Sequence, residues 1–116
     1  MVRNKNKLPI SVRRNNRISL LTCDIRNCLI FKKEICKINY LIHTATAWGD
    51  PKRAYEVNIT AFENLLGILE ENKLEKIIYF STASILNEET ELMREALIYG
   101  TEYIQTKYQC YERLLK

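Results

Sequence analysis

Tyr103 and Lys107 stand four residues apart in a stretch with helical periodicity, which puts a phenol and an ammonium one turn apart on the same face. A free phenol titrates near ~10, and a cation a few ångströms away favours the phenolate, so this tyrosine becomes a proton donor or acceptor usable near neutral pH. A hydroxyl from the polar run Ser81-Thr82-Ala83-Ser84 could then hold the substrate oxygen whose charge changes during reaction. The combination suits oxidation of an alcohol or reduction of a carbonyl, with a nicotinamide supplying the hydride that side chains cannot. With seven Tyr and ten Lys in 116 residues, chance alone yields about 0.6 Tyr-x-x-x-Lys pairs. The surrounding order must therefore carry the reading.

Other chemistries find less support. Cys23, Cys28, Cys36 and Cys110 form no Cys-x-x-Cys pair and His43 is the sole histidine, so a metal site lacks both spacing and ligands. Reduced structural thiols are expected, and no metal. No apolar run exceeds four residues, far below the roughly 20 that cross a bilayer, and no apolar leader follows Met1. A cytoplasmic protein without membrane contact is expected. The net charge of +4 is uneven: Arg3, Lys5, Lys7, Arg13, Arg14 and Arg17 all precede the first acid, Asp24. A nucleic-acid patch is disfavoured because the first 23 residues hold no aromatic to stack a base. A transit peptide is disfavoured because Asn, not Ser or Ala, fills the gaps. A solvated basic arm over residues 1–7 is preferred, with one domain over residues 8–116.

The elements that must hold these groups alternate. Leu8 to Arg13 and Ile18 to Thr22 read as short strands, and Cys28 to Cys36 as a helix. Asn39 to Thr46 reads as a buried strand ending in the Gly49-Asp50-Pro51 break. Asp50 and Pro51 then open a helix of about twenty residues, Asp50 as cap and Pro51 as first helical residue. Lys52 and Arg53 at its start and Glu70 and Glu71 at its end oppose the helix dipole, so burial must stabilise it. Asn58 falls on its apolar side and is expected to be a buried, fully hydrogen-bonded amide. Lys76 to Ser81 suits a strand covered on both faces. A last helical pattern, Glu91 to Leu115, breaks near Gly100. This alternation implies an α/β fold with a parallel sheet, ligands lying beyond the carboxyl ends of its strands.

The ordered set resembles the extended short-chain dehydrogenase/reductase family, the NAD-dependent epimerase/dehydratases, from about Val12 to Lys116. Leu21-Thr22-Cys23-Asp24-Ile25-Arg26-Asn27 is similar to the family's Gly-Asp-hydrophobic-x-Asp strand exit, with Cys23 where Gly is usual. His43-Thr44-Ala45-Thr46 resembles its His-x-Ala-Ala, and Asn58-Ile59 through Asn64-Leu65-Leu66 its long helix. Ser81-Thr82-Ala83-Ser84-Ile85-Leu86-Asn87 resembles its Ser-Ser/Thr-x-x-Val-Tyr-Gly exit, with Leu86 and Asn87 replacing Tyr-Gly. The resemblance implies Thr82, Tyr103 and Lys107 as catalytic residues, Tyr103 being the acid/base and Lys107 also holding the nicotinamide ribose. It implies Asp24, Ile25, Ala45 and Thr46 as NAD or NADP contacts, and Arg13 at the place some members use for a 2′-phosphate. The implied substrate is a nucleotide sugar, with no nucleic-acid partner.

The family's glycine-rich turn, which lets backbone amides reach a pyrophosphate at a helix N-terminus, is absent, since the glycines are Gly49, Gly67 and Gly100. The expected fold is therefore an incomplete Rossmann-like three-layer domain lacking its first strand and first helix. In the order 3-2-1-4-5-6 that strand is central, so the sheet splits unless the gap closes or another chain, as in a homodimer, fills it. A noncatalytic truncated α/β fragment or interaction module is the alternative.

Overall fold

The computed structural model describes residues 1–70 and 74–115; Glu71 and Lys116 lie outside the described residues. The elements run α1 (Ile10–Arg13), a 3-10 segment (Ile25–Phe31), α2 (Lys32–Ile35), β1 (Tyr40–His43), α3 (Pro51–Tyr55), a π turn (Glu56–Thr60), α4 (Ala61–Glu70), β2 (Lys76–Tyr79), α5 (Arg94–Tyr99) and α6 (Glu102–Leu114). β1 and β2 pair in parallel, with Tyr40 opposite Lys76 and His43 opposite Tyr79. The strand-helix-strand-helix order of residues 40–114 matches the alternation of the sequence.

The N-terminal region differs from expectation. Leu8 to Arg13 is not a strand: Asn4 caps a 3-10 turn at Lys5–Lys7, and the amides of Val12 and Arg13 both donate to the Pro9 carbonyl in α1. A helical turn satisfies its amides locally, whereas a strand here has no neighbour to pair with. Ile18 to Thr22 forms no strand either, apart from a single parallel bridge between Val2 and Thr22. In that bridge Val2 N–H donates to the Leu21 carbonyl and Cys23 N–H to the Val2 carbonyl, each at 2.9 Å. The basic start of the chain is thus pinned at Val2 rather than free.

Helix α3 begins as its sequence dictates, with the Asp50 carboxylate accepting from Arg53 N–H at 2.9 Å and Pro51 in the first turn. Its continuation through α4 buries Val57, Ala61, Leu65, Ile68 and Leu69 against Ile25, Cys28 and Ile35. On the other flank Ile59 and Phe62 meet Cys110 of α6. Leu41, His43, Ile77 and Tyr79 face these helices, while Tyr40, Ile42, Ile78 and Phe80 are bare. The expectation of β2 covered on both faces is therefore corrected: Ile78 is 48% and Phe80 57% exposed. Among the described residues two layers are present, not three, because no helix lies over that second face. The accessible surface is 8405 Å² for 13.7 kDa, against about 6,600 Å² for a closed monomer of this mass. The radius of gyration, 15.4 Å, likewise exceeds the ~13.4 Å of a compact chain this long.

Candidate functional site

Asn58 organises the carboxyl side of the sheet. It lies in the π turn, where its buried amide meets the loop after β1. Its Oδ1 accepts from Ala47 N–H at 2.8 Å and Thr46 Oγ1 at 3.3 Å, and its Nδ2 donates to the Ala47 carbonyl and to Thr106 Oγ1, both at 2.9 Å. All four hydrogen-bonding capacities of the amide are used, as the sequence predicts for a structural Asn58. Thr106 passes the tie on, its hydroxyl donating to the Tyr103 carbonyl at 3.0 Å. The loop after β1 is thereby fixed to the turn of α6 that carries Tyr103 and Lys107.

Lys107 is 2% exposed, and its Nζ donates to the Phe80 carbonyl at 2.7 Å, joining α6 to the exit of β2. The ammonium sits 4.6 Å from the Tyr79 ring centre and 5.8 Å from that of Tyr103, inside the ~6 Å range of cation–π attraction. Burial pushes the Lys107 pKa down. His43, 4% exposed, lies between Phe62 and Tyr79 with ring centres 4.7 and 5.6 Å away. Burial first, and then the Lys107 charge, bring it down to about 4. The Trp48 indole meets the Tyr103 ring edge-on at 6.4 Å. Next to Phe80, the buried Ser81 Oγ has no hydrogen-bond partner among the described residues. Thr82 is half-buried, and its Oγ1 accepts from Ser84 N–H and donates to Ser84 Oγ, each at 3.3 Å, so its hydroxyl caps the short turn that follows.

A cavity of about 810 Å³ opens between the Met1–Arg3 segment and β1, the upper part of the ~300–1,000 Å³ range of ligand pockets. Asp24, Ile25, Ala45 and Thr46 line it; Thr82, Tyr103 and Lys107 do not, although Trp48 touches both regions. The Asp24 carboxylate caps the 3-10 segment through Arg26 N–H and pairs with the Arg26 side chain at 3.0 Å. That hydrogen bond, against the opposing effect of burial and with a further contribution from Arg3, holds the Asp24 pKa below its ordinary value. Arg26 also reaches Glu56 at 3.1 Å. Arg13 lies on exposed α1 and is not part of the lining, whereas Arg3 is. The structure thus gathers Asp24, Ile25, Ala45 and Thr46 in one place and Tyr103 and Lys107 in a second, linked by Asn58 and Trp48. Arg3, Trp48 and Thr106 went unnoticed in the sequence: Arg3 was one of six early bases, and Thr106 acts through a partner 48 residues away.

The family model described as NAD dependent epimerase/dehydratase family matches residues 2–115. The chain belongs to this family. No curated protein and no solved structure matches it. At family level the chemistry is NAD-dependent and of oxidoreductase type, with NAD(P) as cofactor and a small molecule as substrate. The parallel β1–β2 pair with its flanking helices is compatible with an α/β, Rossmann-like partial fold. Among the described residues no helix is long and apolar enough to cross a membrane, and no cluster of His, Cys, Asp or Glu could hold a metal ion.

The residues present fit a dinucleotide unevenly. The cavity's Asp24 end is polar and small-lined, and Lys107 and Tyr103 make a second polar point. A pyrophosphate between them finds no cradle among the described residues. The N-terminus of α3, the helix that follows the β1 exit, is already occupied by the Asp50 carboxylate. Gly49 stands just before it with φ +85° and open space around the missing Cβ, so it forms a turn and not a close approach.

Proposed function

We infer that this chain carries the adenosine-reading and proton-transfer parts of an NAD(P)-dependent epimerase/dehydratase site for a nucleotide-sugar-like substrate. The observation that carries the reading is Lys107, a buried ammonium tied to the β2 exit beside the Tyr103 ring. Tyr103 gives a proton to, or takes one from, the substrate oxygen. Lys107 offsets the negative charge that appears when the phenol gives up its proton, and the Thr82 hydroxyl holds the same substrate oxygen. Asp24, Ile25, Ala45 and Thr46 receive the adenosine end, and Lys107 a ribose. Arg3, which already acts on Asp24 through its charge, takes the 2′-phosphate role that the family resemblance implies for Arg13. The same reading takes the sheet as lacking its first strand and helix, and the partner as a small molecule in the cytoplasm, not a nucleic acid.

A noncatalytic α/β module is the second reading, favoured because the described residues form no pyrophosphate cradle. Nuclear magnetic resonance titrations with 5′-AMP and with NADH separate the two. The expected outcome is millimolar binding of both, with shifts at Asp24, Ile25 and Thr46 that Asp24→Ala removes and that NADH does not strengthen beyond about tenfold. Absence of shifts at these residues favours the noncatalytic module. Micromolar NADH binding would show that a pyrophosphate contact exists after all.

A further inference from the structure

We propose that Trp48 is a substrate-contact residue, an indole platform against which the apolar face of a pyranose packs while one of that ring's oxygens meets Tyr103. The inference deepens the proton-transfer reading of Tyr103 and rests on it.

An indole is among the largest apolar groups a chain can bury, yet Trp48 is 71% exposed. Its backbone is not loose. The preceding residue, Ala47, is buried and has both its N–H and its carbonyl hydrogen-bonded to the Asn58 amide, at 2.8 and 2.9 Å. Two residues beyond Trp48, Asp50 caps α3, and Gly49 between them turns the chain with φ +85°. The stem of Trp48 is thus fixed on both sides while its ring stands in solvent. Through Thr106 the same Asn58 amide is tied to the Tyr103 carbonyl. Indole and phenol are therefore held on one frame, with ring centres 6.4 Å apart and planes at 89°.

This placement selects a kind of ligand. A substrate oxygen that exchanges a proton with Tyr103 comes within about 3 Å of the phenol oxygen, so the ring that carries it arrives beside the indole. The face of an indole is the negative side of its π system and attracts weakly positive groups, C–H bonds next to oxygen among them. Thr44 and Thr46 line the same cavity as Trp48 and carry hydroxyls, as does Tyr103. One aromatic wall with hydroxyls around it suits a ring that is apolar on one face and polar at its edge, which describes a pyranose. A flat aromatic substrate would offer those hydroxyls nothing to bond.

Trp48 is the single tryptophan of the chain, so its indole N–H gives one resonance in a nuclear magnetic resonance titration. The probes, added to the whole chain without nucleotide, are methyl β-D-galactopyranoside, the open-chain polyol mannitol and the flat carbonyl compound benzaldehyde. The galactoside should shift the indole N–H together with the Tyr103 and Lys107 amides along one saturable curve, and mannitol should not. Trp48→Ala should weaken the galactoside about threefold to tenfold at the Tyr103 amide, the size of one aromatic contact. Trp48→Phe, which keeps a π face, should restore most of that loss. Shifts at Tyr103 and Lys107 with a still indole overturn the platform and leave the proton-transfer reading standing. Equal shifts with mannitol, or saturation by benzaldehyde and not by the galactoside, overturn it as well. So does the absence of shifts at all three residues, while the nucleotide titration at Asp24 and Thr46 tests the wider reading separately.

Discussion

His43 shows how packing sets the titration of a histidine that lies in an apolar strand. Its ring is sandwiched by Phe62 and Tyr79, with Lys107 as the nearby charge, and its pKa falls from the ordinary 6.5 to about 4. Between those values the unfolded chain binds a proton that the native chain refuses, so the contribution of neutral His43 is intact above pH 6.5 and is lost as pH falls toward 4. Urea unfolding from pH 7 to pH 4 should show stability declining by at most about 1.4 kcal/mol per pH unit from this group. His43→Phe should flatten the slope; an unchanged slope would assign it to the carboxylates. Asn58 was legible in the sequence as a buried amide because it interrupts an apolar stripe. Its partners were not legible, since a hydrogen bond to Thr106 depends on where α6 docks.

At the scale of elements, the order of β1, the long helix, β2 and the broken final helix was legible because periodicity and punctuation agree there. Asp50-Pro51 starts one helix, and Gly100 divides another. The N-terminal strands were misread because Ile10 and Val12 alternate as a strand does, yet alternation yields a strand only where a neighbour accepts the amides. The π turn had no sequence signal, since its apolar residues fit ordinary spacing as well. Gly100 allows a further test. A Cβ there would collide with the Ala96 carbonyl oxygen and lie 2.7 Å from Ile104 Cγ2, so α5 and α6 must separate to admit it. Gly100→Ala should cost about 1–3 kcal/mol in urea unfolding and loosen the cluster of Ile85, Ala96 and Tyr108. A neutral outcome would mean that the corner between these helices yields freely.

For the whole molecule, the two-layer arrangement leaves Tyr40, Ile42, Ile78 and Phe80 in solvent and a groove beside β1. The native chain should therefore enhance the fluorescence of an apolar dye such as ANS while still unfolding in one cooperative step. A broad, non-cooperative transition would instead indicate a loosely packed state. The two-layer outcome was not legible because composition does not reveal which sheet face a chain leaves uncovered. The Asn58 node also sets how the pieces come together in time. Its side chain reaches 11 residues back to Ala47 and 48 forward to Thr106, while its main-chain carbonyl accepts from the Cys110 thiol 52 residues forward. A half-assembled chain with this amide already dry would strand donors and acceptors. Docking of the final helix and drying of this amide should therefore go together, and Thr106→Val should change the folding rate as well as the stability in stopped-flow refolding.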